Sequence, residues 1–312
     1  MKPTTRAGTN DCAQRLLGSL ALVLVLGAVG CARADLDVVR SRRASAGCGK
    51  PAPAADSDQT LLRGASSRSY RLHVPAAYDP GTPVPLVLDF HAIGSTGALE
   101  ARTSQYLPLT DVEGVVTAFP TGLSGPLGPA WNIGPCCVSD PSTDDVGFVR
   151  AVVDQVASVT CIDLSRVYAV GFSMGGGFVH YLGCHAADMI AAIAPAGFDL
   201  LGENVDECHP WRPITVLSSR GAADTFIPYG GGYSSVVPGM PVTLLGAQKT
   251  FEKWAALDRC SGTPSNADAN GCRSYGGCPL GVEVTLCSKP GGGPEPADAK
   301  VIWPWLKVHR LP

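Results

Sequence analysis

From about residue 69 onward, apolar positions fall into short runs separated by Gly- and Pro-rich turns. Ser69-Tyr70-Arg71-Leu72-His73-Val74 alternates polar and apolar side chains, the period of a strand with one buried face. Residues 85–90, 115–119, 166–170, 190–194, 214–218 and 282–286 are instead largely apolar throughout. Runs apolar on both faces suit strands of a parallel sheet covered on each side. Between them lie helical stretches. Asp145 stands ahead of Val149, Val152, Val153 and Val156, which share one helix face, and is read as its N-cap, with Asp144 beside it also read as a helix cap. Residues 176–187 form another. Alternating β and α with short links predicts a doubly wound α/β domain, three-layered, with a mostly parallel central sheet.

The beginning of the chain follows a different rule. Lys2, Arg6 and Arg15 precede an uncharged run over residues 16–30, followed by Ala32-Arg33-Ala34. Fifteen helical residues span roughly 22 Å, short of a bilayer core of about 30 Å. Residues 1–34 therefore read as a secretory signal, which leaves no membrane-spanning segment in the mature chain. Val29-Gly30-Cys31 offers a rival cut, with a lipid on Cys31. Residues 35–60 are Ser/Arg/Ala/Pro-rich without periodicity and read as a flexible linker, ahead of a catalytic domain over 61–312.

The 312 residues carry a net charge of −3. The first 34 hold Lys2, Arg6, Arg15 and Arg33 against Asp11, so the remainder stands at about −6. No basic surplus is left for nucleic acid. Hydrophobic residues at 45% suffice for a sizeable core, which excludes a mainly disordered chain. Of twelve cysteines, ten follow residue 40. None forms a C-x-x-C pair or a His/Cys cluster at zinc spacing, so disulfides in an oxidising compartment are expected, with no metal and no cofactor.

The candidate chemistry centres on Gly171-Phe172-Ser173-Met174-Gly175, between the strand at 166–170 and the helical stretch at 176–187. Glycines on either side permit a strained turn that lifts the Ser173 hydroxyl above a sheet edge. The Met174 N–H at the helix N-terminus is a ready oxyanion donor. A second donor is expected from Ala92 or Ile93, in the turn after the strand ending at Phe90. His91 reads as the anchor of that turn. Asp224 follows the strand at 214–218, where an acid that orients an imidazole belongs in the order Ser, Asp, His. Each has a plainer reading, Ser173 as a packing turn and Asp224 as a loop cap.

Taken together, residues 60–312 resemble the secreted polyhydroxybutyrate-depolymerase-like and feruloyl-esterase-like α/β-hydrolases. The similarity is carried by Tyr70-Arg71-Leu72-His73-Val74-Pro75, Trp131-Asn132-Ile133-Gly134-Pro135-Cys136-Cys137, Asp144-Asp145-Val146-Gly147-Phe148, residues 161–168, residues 191–195 and residues 224–231. The resemblance implies an α/β-hydrolase fold and a monomeric, extracellular serine esterase. Its substrates would be feruloyl or acyl esters of plant polysaccharide such as xylan, or a polyhydroxyalkanoate-type polyester. It puts the nucleophile on Ser173 and the acid on Asp224.

Three positions depart from the family pattern. Ala92 replaces the glycine of a His-Gly turn, and Met174 replaces an asparagine after the serine. Gly291-Gly292-Gly293-Pro294-Glu295-Pro296-Ala297 has Pro294 where the family carries its histidine, and the Trp-Pro-Gly that follows is missing. Only His309 comes after Asp224 in the chain, making it the remaining candidate base. Trp131, Phe226 and Tyr229 suit either an aryl-binding cleft or the core. A working esterase, an impaired relative that binds a glycan or acyl chain, and an acyltransferase all stay open.

Overall fold

The computed structural model describes residues 44–63 and 66–312. The expected signal at 1–34, the lipid site at Cys31 and the start of the expected linker lie outside them. Among the described residues no helix is long and apolar enough to cross a membrane.

A nine-stranded sheet organises residues 44–312. Its strands are β1 (Asp56–Arg63), β2 (Ser66–His73), β3 (Val84–Phe90), β4 (Val116–Pro120), β7 (Ile162–Phe172), β8 (Ala192–Ala196), β9 (Thr215–Gly221), β12 (Cys272–Tyr275) and β13 (Val284–Lys289). They run in the order β1-β2-β4-β3-β7-β8-β9-β13-β12. The six central strands are parallel, and the antiparallel pairs lie at the two edges. Two small hairpins, β5 (Leu123–Gly125) with β6 (Gly128–Ala130) and β10 (Gly232–Ser234) with β11 (Val242–Leu244), stand apart from the sheet.

The helices are α1 (Gly97–Thr103), α2 (Leu107–Val112), α3 (Asp145–Val159), α4 (Met174–His185), α5 (Ala247–Leu257) and α6 (Ala299–Leu306). Alternation along each strand divides the core in two. Leu86, Leu88 and Phe90 of β3 pack with Val149 and Val152 of α3, Phe178 of α4 and Trp254 of α5. Val87 points the other way, into a second cluster with Tyr106 ahead of α2 and with Ile302, Trp303 and Leu306 of α6. That is the three-layer arrangement the apolar runs predict. Each of the seven predicted runs lies on a strand of the sheet.

The expected linker needs correction where it is described. The Ser45 hydroxyl donates to the Thr160 carbonyl (2.6 Å) and accepts the Ile162 N–H (2.8 Å), and Cys48 is disulfide-bonded to Cys161. Residues 56–63 pair along their whole length with β2. Ladder hydrogen bonds and a covalent link order this segment, and neither leaves an apolar period in the sequence. All ten later cysteines are paired, as Cys48–Cys161, Cys136–Cys137, Cys184–Cys208, Cys260–Cys278 and Cys272–Cys287.

Asp145 is likewise not the cap of α3. Asp144 caps it, accepting the Gly147 N–H at 2.7 Å. Asp145 is buried, paired with Arg68 at 2.6 Å and accepting the Asn132 N–H at 2.7 Å. It ties strand β2 and the Trp131 loop to α3.

Candidate active site

Ser173 is the single residue between β7 and α4, with φ 54° and ψ −122°. A positive φ on a serine is a strained value that must be held by its surroundings. Here the Ser173 N–H donates to the Ala196 carbonyl (2.9 Å), and its own carbonyl accepts the Gly177 N–H (3.0 Å). The glycines are there for lack of room. A Cβ on Gly175 would stand 1.9 Å from the Phe90 carbonyl oxygen, and one on Gly171 would stand 2.7 Å from the Gly175 carbonyl. Backbone of β3 and the start of α4 meet where any side chain would intrude. The hydroxyl is thereby held at the carboxyl edge of the sheet. Met174 opens α4, where first-turn N–H groups have no partner within the helix.

The turn after β3 lies against the same edge. His91 is wholly buried. Its Nδ1–H donates to the Ala92 carbonyl (2.7 Å) while Nε2 accepts the Gly122 N–H (2.9 Å). The Trp131 indole N–H donates to the His91 carbonyl at 3.0 Å. Burial holds the imidazole neutral, with its pKa pushed down to about 4. Both ring nitrogens are occupied, so His91 staples the turn. The left-handed position there is Gly94 (φ +75°), not Ala92, which explains why alanine is accepted in place of glycine.

Asp224 follows β9 at the same edge. β8 alone separates β9 from β7, so two strand spacings, about 10 Å, lie between the strand bearing Ser173 and the one leading to Asp224. Asp224 Oδ1 accepts the Phe226 and Ile227 N–H groups, each at 2.9 Å. Its Oδ2 is buried and has no hydrogen-bond partner among the described residues. Arg220 braces this loop, pairing with the buried Asp199 and donating to the Ile227 carbonyl (2.6 Å). Burial raises the Asp199 carboxyl to about 6, and the charge of Asp224 adds to that against the opposing pull of Arg220.

A narrow apolar cleft opens at Ser173, lined by Ile93, Met174, Phe198, Ile227, Val237 and Met240 together with the Cys136–Cys137 pair. Among the described residues no side chain hydrogen-bonds to the Ser173 hydroxyl. Trp131 is not in a cleft. It is fully buried, stacked on Phe178 and edge-on to Phe90, so its place is the core. Tyr229 is half-buried and bonded to Ser288 Oγ at 2.5 Å, whereas Phe226 is exposed beside Asp224.

Comparison with known proteins places the fold among esterases. Feruloyl esterase B of Piromyces equi is 41% identical over 241 residues, covering 76% of this chain and 44% of that protein. Feruloyl esterase C of Emericella nidulans is 27% identical over 261 residues, covering 78% of this chain and 87% of that one. The acetyl xylan esterase structure from Aspergillus awamori superposes with a TM-score of 0.59 at 14% identity, over 80% of this chain and 98% of that one. The chain has the α/β-hydrolase fold and is related to the feruloyl esterases. It spans between a third and about half the length of the first curated relatives it matches. No family model matches the chain.

An α/β-hydrolase carries its histidine on the loop after the strand equivalent to β13, and here that loop approaches Asp224 without one. The Ala222 N–H donates to the Lys289 carbonyl (3.0 Å) and the Ala223 N–H to the Gly292 carbonyl (2.8 Å). Pro294 follows two residues later, and it is exposed. The six histidines of the chain all lie within the described residues, and none is bonded to Asp224 or Ser173. His73 sits between Asp56 and Asp111. His180 is buried in α4 and accepts the Trp254 indole N–H (3.0 Å), and burial takes its pKa down to about 3. His185 packs on Tyr181, and His209 is exposed. His309, the remaining candidate base, lies 3.1 Å from Thr215 Oγ1, at the first residue of β9. Asp224 follows the last residue of that strand, so roughly 20 Å of strand separates them. The imidazole of His309 is at the opposite edge of the sheet. Its position in the chain, after Asp224, gave no hint of this, because α6 returns the chain to the amino-terminal edge.

Proposed function

We propose that this chain is a secreted serine carboxylic-ester hydrolase acting on feruloyl or acyl esters of plant polysaccharide, working slowly for want of a histidine. Ser173 is the nucleophile. Met174, with Ala92 or Ile93, donates backbone N–H groups to the oxyanion, and Asp224 is the acid member. The observation that carries this reading is Ser173 at positive φ between a central parallel strand and a helix N-terminus. Its Oγ attacks the ester carbonyl, the alcohol departs with a proton, and water then releases the acid from the acyl-enzyme. A base would normally take the Ser173 proton and return it to the leaving alcohol, so without an imidazole solvent must carry it. The names of the relatives support ester substrates of plant cell walls. Polyhydroxyalkanoate-type polyesters are the other substrate class with this chemistry. Five disulfides support folding outside the cytosol.

The partnerless Asp224 Oδ2 favours a second reading, a relative that binds a glycan or acyl chain and does not turn it over. A fluorophosphonate probe separates the two. Slow covalent labelling of Ser173, with hydrolysis of methyl ferulate or p-nitrophenyl acetate lost in Ser173→Ala, supports the hydrolase. No labelling by intact mass, or turnover that survives Ser173→Ala, overturns it.

A further inference from the structure

The apolar cleft at Ser173 is small, with a volume of about 40 Å³. A buried water needs about 10–15 Å³ and a benzene ring about 150 Å³, so the cleft has room for roughly three heavy atoms. An aromatic acyl group needs the volume of the ring and more. What the cleft admits therefore depends on whether its walls can give way.

Each wall is tied to backbone. Phe198 follows Gly197, whose N–H donates to the Ser219 carbonyl (3.0 Å). Ile227 gives its N–H to Asp224 Oδ1 (2.9 Å), and its carbonyl accepts from Arg220 (2.6 Å). Cys136 and Cys137 are joined covalently, and the Ser139 N–H just beyond them donates to the Ser124 carbonyl of β5 (3.0 Å). The hairpin of β10 and β11 supplies the remaining wall through Ser234, Val237, Met240 and Val242. It is pinned along β11, where the Thr243 carbonyl accepts the Gly202 N–H (2.7 Å), the Thr243 N–H donates to Glu203 Oε1 (2.6 Å) and the Leu245 N–H donates to the Leu200 carbonyl (3.0 Å).

Met240 is where two of these walls meet. The Cys137 N–H donates to its thioether sulfur at 3.2 Å, which holds the side chain against the disulfide. Its own N–H donates to the Val237 carbonyl (3.1 Å), closing the turn that carries both residues. A methionine is long and unbranched, so it fills space that a shorter side chain would leave open.

We propose that Met240, held against the Cys136–Cys137 pair, sets the length of the acyl group that Ser173 accepts, with a limit of about three carbons, as in acetyl and propionyl. The inference rests on the hydrolase reading and selects the short acyl esters within it. Once the ester carbonyl has reached Ser173 Oγ, a short tail exchanges water for the apolar walls of the cleft. A longer or aromatic tail must displace walls that backbone hydrogen bonds and a disulfide hold, and that overpacking opposes its acylation.

The test follows p-nitrophenol release from the acetyl and hexanoyl esters, and hydrolysis of methyl ferulate, by the full chain and its Met240→Ala and Met240→Leu variants, with the Ser173→Ala rate subtracted. Nitrophenol release counts acylation of Ser173, so slow deacylation does not hide it. The wild type is expected to favour acetyl over hexanoyl in kcat/KM by about a hundredfold or more, because one methylene in an apolar pocket is worth about tenfold or more. Met240→Ala is expected to move that ratio toward hexanoyl by about tenfold or more, and Met240→Leu, which refills most of the volume without sulfur, by less than about threefold. Val237→Ala, on the same turn, is expected to move it in the same direction as Met240→Ala and serves if that variant folds poorly. A wild type that takes hexanoyl or feruloyl groups as readily as acetyl, or a ratio that neither alanine variant moves, overturns the length limit. Fluorophosphonate labelling in the same samples reports on the hydrolase reading. A labelled Ser173 with an unmoved ratio rejects the limit alone, whereas an unlabelled Ser173 rejects the hydrolase reading and the limit with it.

Discussion

Replacing Gly175 by alanine tests how tightly the serine turn is held. In an exposed helix this exchange stabilises by roughly 1 kcal/mol, because glycine gives up more backbone freedom. At Gly175 the added Cβ would lie 1.9 Å from the Phe90 carbonyl oxygen, 2.7 Å from the Phe90 carbonyl carbon and 2.9 Å from the His91 carbonyl oxygen. Comfortable contact needs about 3.5 Å, so α4 must move by about 1.6 Å against β3. All three obstacles are backbone, and no side chain can rotate away. Ordinary overpacking costs about 1–3 kcal/mol, and a backbone obstacle belongs at or beyond the upper end. A net loss of about 3 kcal/mol is expected, a large share of the 5–15 kcal/mol typical of a domain. Gly177→Ala is the control, since its Cβ would meet the Phe198 ring at 2.7 Å, a side chain that can tilt. Urea unfolding at constant m measures both. Gly175→Ala should lose far more midpoint than Gly177→Ala, and its Ser173 should no longer label. A Gly175→Ala protein as stable as the wild type, labelling at the same rate, would refute the argument that close approach of β3 and α4 sets the serine's conformation.

Placing histidine at Pro294 should raise esterase turnover, by up to the 10²–10⁴-fold range of a positioned general base and by less if the loop holds the ring loosely, as p-nitrophenyl acetate hydrolysis will show; the gain should vanish with Asp224→Asn. Asp145→Ala leaves the buried Arg68 guanidinium without its partner, so a loss of about 3–5 kcal/mol is expected in denaturant unfolding, whereas an exposed pair such as Lys289–Glu295 should lose under about 1 kcal/mol on the same treatment. The His91 ring should remain neutral, protonated at Nδ1, down to about pH 4 in ¹⁵N spectra. Because its folded pKa lies below the unfolded value of about 6.5, the stability it contributes is complete above pH 6.5 and is lost as pH falls through about 4. His91→Phe should flatten that acid limb.

The readable parts of this chain were those whose signal is local. The central strands are apolar on both faces because both faces are covered, and that requirement is written into each run separately. The turn at Ser173 was readable because its signature sits in five consecutive residues, although the close approach that demands Gly175 comes from the end of β3. Residues 44–60 were misread because their order comes from a ladder to the neighbouring β2, which leaves no apolar period, and from Thr160, Cys161 and Ile162, more than a hundred residues on. Asp145 was misread for a similar reason, since a cap and a buried ion-pair partner look alike until Arg68 is brought beside it. Trp131 could not be assigned at all from sequence, as an aromatic ring suits a cleft and a core equally well.

The loop after β13 joins these two kinds of information. That Pro294 stands in place of a histidine is visible in the sequence, but its consequence depends on whether another imidazole arrives from elsewhere. The fold answers this by direction. Parallel strands put their carboxyl ends, with Ser173 and Asp224, at one edge, and α6 carries His309 back to the other. His91 is at the correct edge, yet each of its nitrogens is already engaged in holding the oxyanion turn. Freeing it to serve as a base would release the Ala92 carbonyl and the Gly122 N–H, and with them the turn proposed to bind the oxyanion. One imidazole cannot do both. On the proposed hydrolase reading the chain keeps a histidine that shapes the oxyanion turn and lacks one to move the proton, and the Asp224 Oδ2 that such an imidazole would meet has no hydrogen-bond partner among the described residues.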